Sequence, residues 1–227
     1  MQNTIPPNIS INISPGSTSG LAPSLYILLI LTIITLSPSL LIMLTSFTRI
    51  IIVLSFTRSA LGTQQVPSNQ VLIGLALFLT LFVMSPVISQ VNNNAVQPYI
   101  NGQITEEQAL EQGIKPIREF MLKQTRTSDL NLFLSLSKEN IQEGVDNLPL
   151  RIVVPAFILS EIKTAFEMGF LIYIPFLIID MVVSSVLMSM GMFMLPPVMI
   201  SLPFKILLFI LVNGWDLIIK SLIVSFN

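Results

Sequence analysis

A chain of 227 residues with 52% hydrophobic and only 10% charged side chains departs from the roughly 25% charged residues of a soluble domain and reads as membrane-associated. Eleven basic and twelve acidic residues leave a net charge of −1, so charge alone makes no case for nucleic acid or an anionic surface as partner. With neither cysteine nor histidine, there is no disulfide, thiolate site or imidazole chemistry to consider, and no metal or other cofactor is expected.

Residues 1–23 are expected to form a flexible polar tail. They lack the basic n-region of a secretory signal, so an uncleaved apolar segment should follow, with cleavage further in as the alternative. Apolar, uncharged runs occupy Leu21 to Thr48, Val71 to Val91 and Met181 to Phe204, each long enough for the roughly 20 residues that span a hydrocarbon core. Residues 24–90 are expected to form an N-terminal helical hairpin, with a kink or break at Pro38, where a backbone donor is lost, and a second helix that stops at Pro86. Residues 91–150 hold five basic and eight acidic side chains, more than half of all the charges, and read as a solvated amphipathic helical segment. There Thr105 and Gln108 resemble a capping box, Gly113 should end a first short helix and Pro116 should open a second. Residues 151–227 form a C-terminal hairpin: one helix from Pro155 with a kink at Pro175, a Met-rich loop, and a last helix from about Leu202 to Val224.

Several charges fall inside apolar surroundings, where an ionised side chain costs about 2.5 to 3.5 kcal/mol on the mild insertion scale. Arg49 and Asp180 are flanked by apolar runs, while Ser160, Lys163, Thr164 and Glu167 follow i, i+3, i+4, i+7 and share one helical stripe. Lys163 and Glu167 can meet across one turn, and Glu161 projects to a different face. Arg49, Arg58, Glu161, Lys163, Glu167, Asp180, Lys205 and Asp216 are therefore candidates for polar contacts within or between subunits, against the alternative of snorkelling and local pairing. Lys205 follows Pro203 at the expected opening of the last helix, where the dipole disfavours a cation by up to about 1 kcal/mol. A partner carboxylate, Asp180 or one on a companion subunit, would offset this.

Six of the eleven methionines lie between Met181 and Met199. Met188 and Met192 share one helical face and Met190 and Met194 another, so no single helix could aim all four at one target. Gly191 favours a helix end and Pro196–Pro197 forbids regular helix, which places Met192, Phe193 and Met194 in a loop. Adaptable methionines suit a surface that fits many shapes, but they equally suit filling an irregular core.

The stretches "TSFTRIIIVLSF", "ALGTQQVPSNQVLIGLALFLTLFVMSP", "PAFILSEIKTAFEMGF" and "IPFLIIDMVVSSVLMSMGMFMLPPVMISLPFKILLFILVNGW" resemble the FliP family, the flagellar members of the inner-membrane export-gate proteins of type III secretion. The resemblance covers most of the chain outside the tail and the charged middle segment. It implies an all-α, multi-pass protein of the bacterial inner membrane at the flagellar basal body. Its helical hairpins would assemble in several copies into a ring or cone around a pore, with FliQ and FliR and also FlhB and FlhA as partners. Unfolded flagellar subunits would leave through that pore. The family's methionine-rich gasket maps onto Met192, Phe193 and Met194, with Met190 just before it. Phe193 stands where the family usually has methionine, and Asn213 where it commonly has aspartate.

The expected function is thus a non-enzymatic core subunit of the flagellar export gate. No "GxxxxGK[ST]" phosphate loop is present, in keeping with an energy source on separate proteins. The equivalent subunit of a virulence injectisome is the nearer alternative. A small-solute transporter, suggested by Pro38, Pro175 and Asp180, is more distant. An intramembrane hydrolase is disfavoured because no serine sits in a nucleophile elbow.

Overall fold

The computed structural model describes residues 21–63, 65–137, 148–192 and 194–226; the expected tail over residues 1–20 and Phe193 lie outside this set. Among the described residues every regular element is helical, which agrees with the all-α expectation. The chain divides at Leu41/Ile42 into two compact units.

The first unit comprises most of α1 (Leu21–Leu44), apolar on every side. Two of its hydroxyls bond back to the helix: Thr32 donates to the Leu28 carbonyl at 2.8 Å and Thr35 to that of Thr32 at 2.9 Å. The helix continues through Pro38, so of the expected kink or break there is no break. One missing donor interrupts a single rung of the ladder, and apolar helices tolerate this because no water competes for the remaining bonds.

The second unit is built around α2 (Phe47–Ala60), which packs against α3 (Asn69–Val91) and the 40-residue α7 (Leu150–Ser189). One face of α2 is fully enclosed at Ile50, Val53, Leu54 and Ala60, and it meets Leu72 and Ala76 of α3 and Ala165 of α7 in a continuous apolar core. Close approach of α2 and α7 depends on Gly169. A Cβ there would come within 2.5 Å of the Phe56 ring, while Phe166 one turn away closes on the same ring edge-to-face at 5.1 Å.

The charged middle segment folds as α5 (Glu106–Gln124) and α6 (Thr127–Ser137). Thr105 and Gln108 form a reciprocal capping box at the start of α5. Neither Gly113 nor Pro116 interrupts this helix, which corrects the expectation of two short helices. A Cβ at Gly113 would lie 3.4 Å from that of Ala95, an ordinary packing contact, so nothing at this position demands a helix end. Met121 and Leu130 then join Leu148, Ile152, Val153, Ala156 and Phe157 in a second apolar cluster.

Two further boundaries differ from expectation. α3 runs through Pro86 and continues by a π-helical turn (Asn92–Val96) into α4 (Gln97–Ile100). The apolar face carried past the proline outweighs one lost bond. The last helix is two: α8 (Pro197–Leu211) and α9 (Gly214–Val224), bent by 64°. The break falls at Asn213, whose φ of 50° is left-handed, a conformation that asparagine tolerates better than most residues. The "NG" pair was a legible turn signal. Gly214 follows by steric need, since a Cβ there would sit 2.2 Å from the Phe209 ring.

Asn69–Ile100 and Leu150–Ser189 are long and apolar enough to cross a membrane, and α8 with α9 makes a third such segment if the bent pair is one span. A helix of 40 residues is about 60 Å long, twice a hydrocarbon core. Its charges Arg151, Glu161, Lys163 and Glu167 all lie in the first half, leaving Met168 to Ser189 with Asp180 alone.

Candidate functional site

The α7–α8 hairpin carries the methionine loop. α7 ends in a Schellman arrangement: Met192 N–H donates to the Leu187 carbonyl at 3.0 Å and Gly191 N–H to that of Met188 at 3.1 Å, with Gly191 at φ 75°. Pro196 precedes α8 in an extended conformation and Pro197 occupies its first position, where the missing N–H has no helical partner to lose. Between these two stops the described residues form no regular helix. Met192 is half-buried, Met190 is exposed and Met194 is 96% exposed. The sharp turn therefore places Met194 at the tip, with its whole side chain free to make contacts outside this chain.

Below the loop, nine residues or about 14 Å along α7, Asp180 ties the two arms together. Lys205 donates to Asp180 Oδ2 at 2.6 Å and to the Ala60 carbonyl at the end of α2 at 3.3 Å. Ser201, one turn before Lys205, donates to Asp180 Oδ1. Lys205 is 2% exposed and Ser201 is fully buried, so the pair is a polar node inside apolar surroundings. The dipole argument for Lys205 does not apply, because α8 begins at Pro197 and the residue lies mid-helix. Its need for a carboxylate comes from burial.

A second node lies at Arg49. Its guanidinium forms a two-point contact with Glu161, Nε to Oε2 at 3.0 Å and Nη2 to Oε1, with both side chains buried. The remaining donors reach Ser225 O at 2.9 Å, Ser225 Oγ at 3.0 Å and Gln124 Oε1 at 3.1 Å, and the Phe226 ring lies 4.0 Å from the guanidinium carbon. One side chain thus joins α2, α5, α7 and the residues after α9. No local sequence signal marks this node, since its members are separated by up to 176 positions.

The stripe on α7 is used differently from the simplest helical pairing. Glu167 is taken by Arg126, which also donates to Thr164 at 3.0 Å, and Lys163 is taken by Asp129. Ser160 completes the set, donating to Asp129 at 2.8 Å and accepting from the Arg126 N–H at 3.0 Å. Hydrogen bonding to Glu167 holds the Arg126 guanidinium above its usual range. Burial would push the Asp129 carboxyl up, but hydrogen bonds from Lys163 and Ser160, with the nearby positive charges, outweigh it and hold the group below the usual carboxylate range. A depressed carboxylate stabilises the fold above its unfolded pKa, and that contribution disappears as pH falls through the lower folded value. Asp129→Asn is accordingly expected to cost about 1 to 3 kcal/mol at neutral pH and to make the opening of α6 less dependent on acid. Hydrogen exchange of the α6 amides at neutral and acid pH reads this directly; unchanged protection in the variant at both would contradict it.

The other two charged candidates are not drawn into these nodes. Arg58 donates to Pro67 O at 3.2 Å and Asn69 Oδ1 at 2.6 Å, bracing the turn between α2 and α3. Asp216 is exposed in the first turn of α9, where a negative charge suits the helix dipole.

A paired hairpin with a methionine tip, on helices long and apolar enough to cross a membrane, is consistent with a membrane-associated helical protein. A sequence model of the FliP family matches residues 30–222, and the chain belongs to that family. The chain is 56% identical to the flagellar biosynthetic protein FliP of Bacillus subtilis (strain 168), over 96% of this chain and 100% of that protein. It is 54% identical to the protein of the same name in Pectobacterium carotovorum subsp. carotovorum, over 93% and 82% of the two chains. For that of Aquifex aeolicus (strain VF5) the identity is 51%, over 98% and 92%.

Proposed function

We propose that this chain is a core subunit of the flagellar type III export apparatus and that its copies form the pore through which unfolded flagellar subunits leave the cytoplasm. It works as a conduit and not as an enzyme. The observation that carries this reading is the α7–α8 hairpin, pinned by Asp180, Ser201 and Lys205 below a loop whose Met194 is almost wholly exposed. A rigid base with a compliant tip is what a seal requires: the base fixes where the methionines stand, and their unbranched side chains adapt to each chain that passes. Met190, Met192, Phe193 and Met194 form that seal in a ring of copies.

The large exposed side chains of the second unit, among them Phe78, Ile210 and Leu211, face other helices or lipid in this assembly. FliQ and FliR are the companions packed against them, with FlhB and FlhA nearby, in the inner membrane at the flagellar base. The relatives' names favour the flagellar apparatus over an injectisome.

In cells lacking their own subunit, this chain is expected to restore filament assembly. Replacing Met192 and Met194 together with glycine should leave the complex intact and raise ion leakage across the membrane. An impermeable, export-competent complex with both methionines removed would count against the seal.

A further inference from the structure

A cavity of about 440 Å³ lies between α3, α5 and α9, away from the methionine loop, and is lined by Phe82, Pro86 and Val87, by Glu119 and Lys123, and by Phe226. Its volume falls in the range of small-ligand sites. Its lining combines apolar side chains with the polar Gln90, Glu119 and Lys123. Glu119 and Lys123 are exposed and one helical turn apart, about 5 to 6 Å between Cβ atoms, yet no ion pair joins them. The rim therefore offers an anion beside a cation, above an aromatic floor.

We infer that this cavity binds a zwitterionic aminophospholipid, its ammonium on Glu119, its phosphate on Lys123 and an acyl chain along Phe82 and Phe226. The charge separation of a phosphoethanolamine headgroup, set by a two-carbon link, is comparable to one helical turn. The position is also that of a headgroup: the uncharged run of α3 ends at Val91, and Asn92, Asn93 and Asn94 follow. Phe226 is the ring that also covers Arg49, so the lipid braces the buried node from outside.

Native mass spectrometry of the full chain, purified in detergent, stripped of lipid and supplied with phosphatidylethanolamine, phosphatidylcholine or phosphatidylglycerol, tests this. One phosphatidylethanolamine per chain is expected, with the other two lipids about ten-fold weaker because they lack the ammonium donors. Phosphoethanolamine without acyl chains should bind weakly, which separates headgroup from lipid. Glu119→Gln should weaken phosphatidylethanolamine about ten-fold and leave phosphatidylglycerol unchanged. Equal binding of the three lipids, or an indifferent Glu119→Gln, overturns the inference. So does loss of oligomer mass on exchanging the charges of Glu119 and Lys123 that is rescued by exchanging those of Asp216 and Lys220, since the occupant is then a second copy.

Discussion

Replacing Arg49 with methionine is expected to destabilise the second unit by about 3 to 5 kcal/mol, because it leaves the Glu161 carboxylate buried without a counter-ion. The loss should extend beyond the pair. Ser225 and Gln124 lose their donors and Phe226 loses the cation beneath its ring, so the end of α9 is released together with the contact between α2 and α7. The double substitution Arg49→Met with Glu161→Leu removes both charges and should recover much of the stability, since a buried pair is often replaceable by packed apolar groups. Thermal unfolding in detergent of the wild type, both single variants and the double variant gives the coupling. A double variant no better than the singles would show that the node stabilises by something other than mutual neutralisation.

The second large effect is expected at Lys205. Lys205→Met strands Asp180 in an apolar hairpin and removes the donor to the Ala60 carbonyl, at a cost of about 3 kcal/mol. Because the pair joins α7, α8 and the end of α2, the hairpin should loosen where it supports the loop. Reduced recovery of the assembled complex and reduced motility are expected. Asp180→Asn combined with Lys205→Met should restore part of both, as the neutral amide can keep the hydrogen bond from Ser201. Normal assembly and motility in the single variant would remove the pair from any supporting role.

What could be read from the sequence follows the range over which each signal acts. The apolar runs, the capping box at Thr105 and the stops at Gly191 and Pro196–Pro197 are local, and the folded chain contains them. Prolines misled in one direction. Pro38 and Pro86 point to a kink or stop and Pro116 to a helix start, yet α1, α3 and α5 each run through them, since a single proline removes only one backbone donor. The partners of the α7 stripe were not legible, because α5 and α6 bring Arg126 and Asp129 to it from more than thirty positions away. At Asn213 the dipeptide signal was present, but the apolar pattern on both sides concealed it.

The central claim is that exported chains pass between the methionine loops. The direct measurement traps an export substrate in transit, by fusing it to a domain that cannot unfold, and crosslinks it from cysteines at Met192 or Met194. The trapped chain should label at both positions and not at exposed outer positions such as Phe78. Labelling of the outer helices with none at the loop would contradict the account.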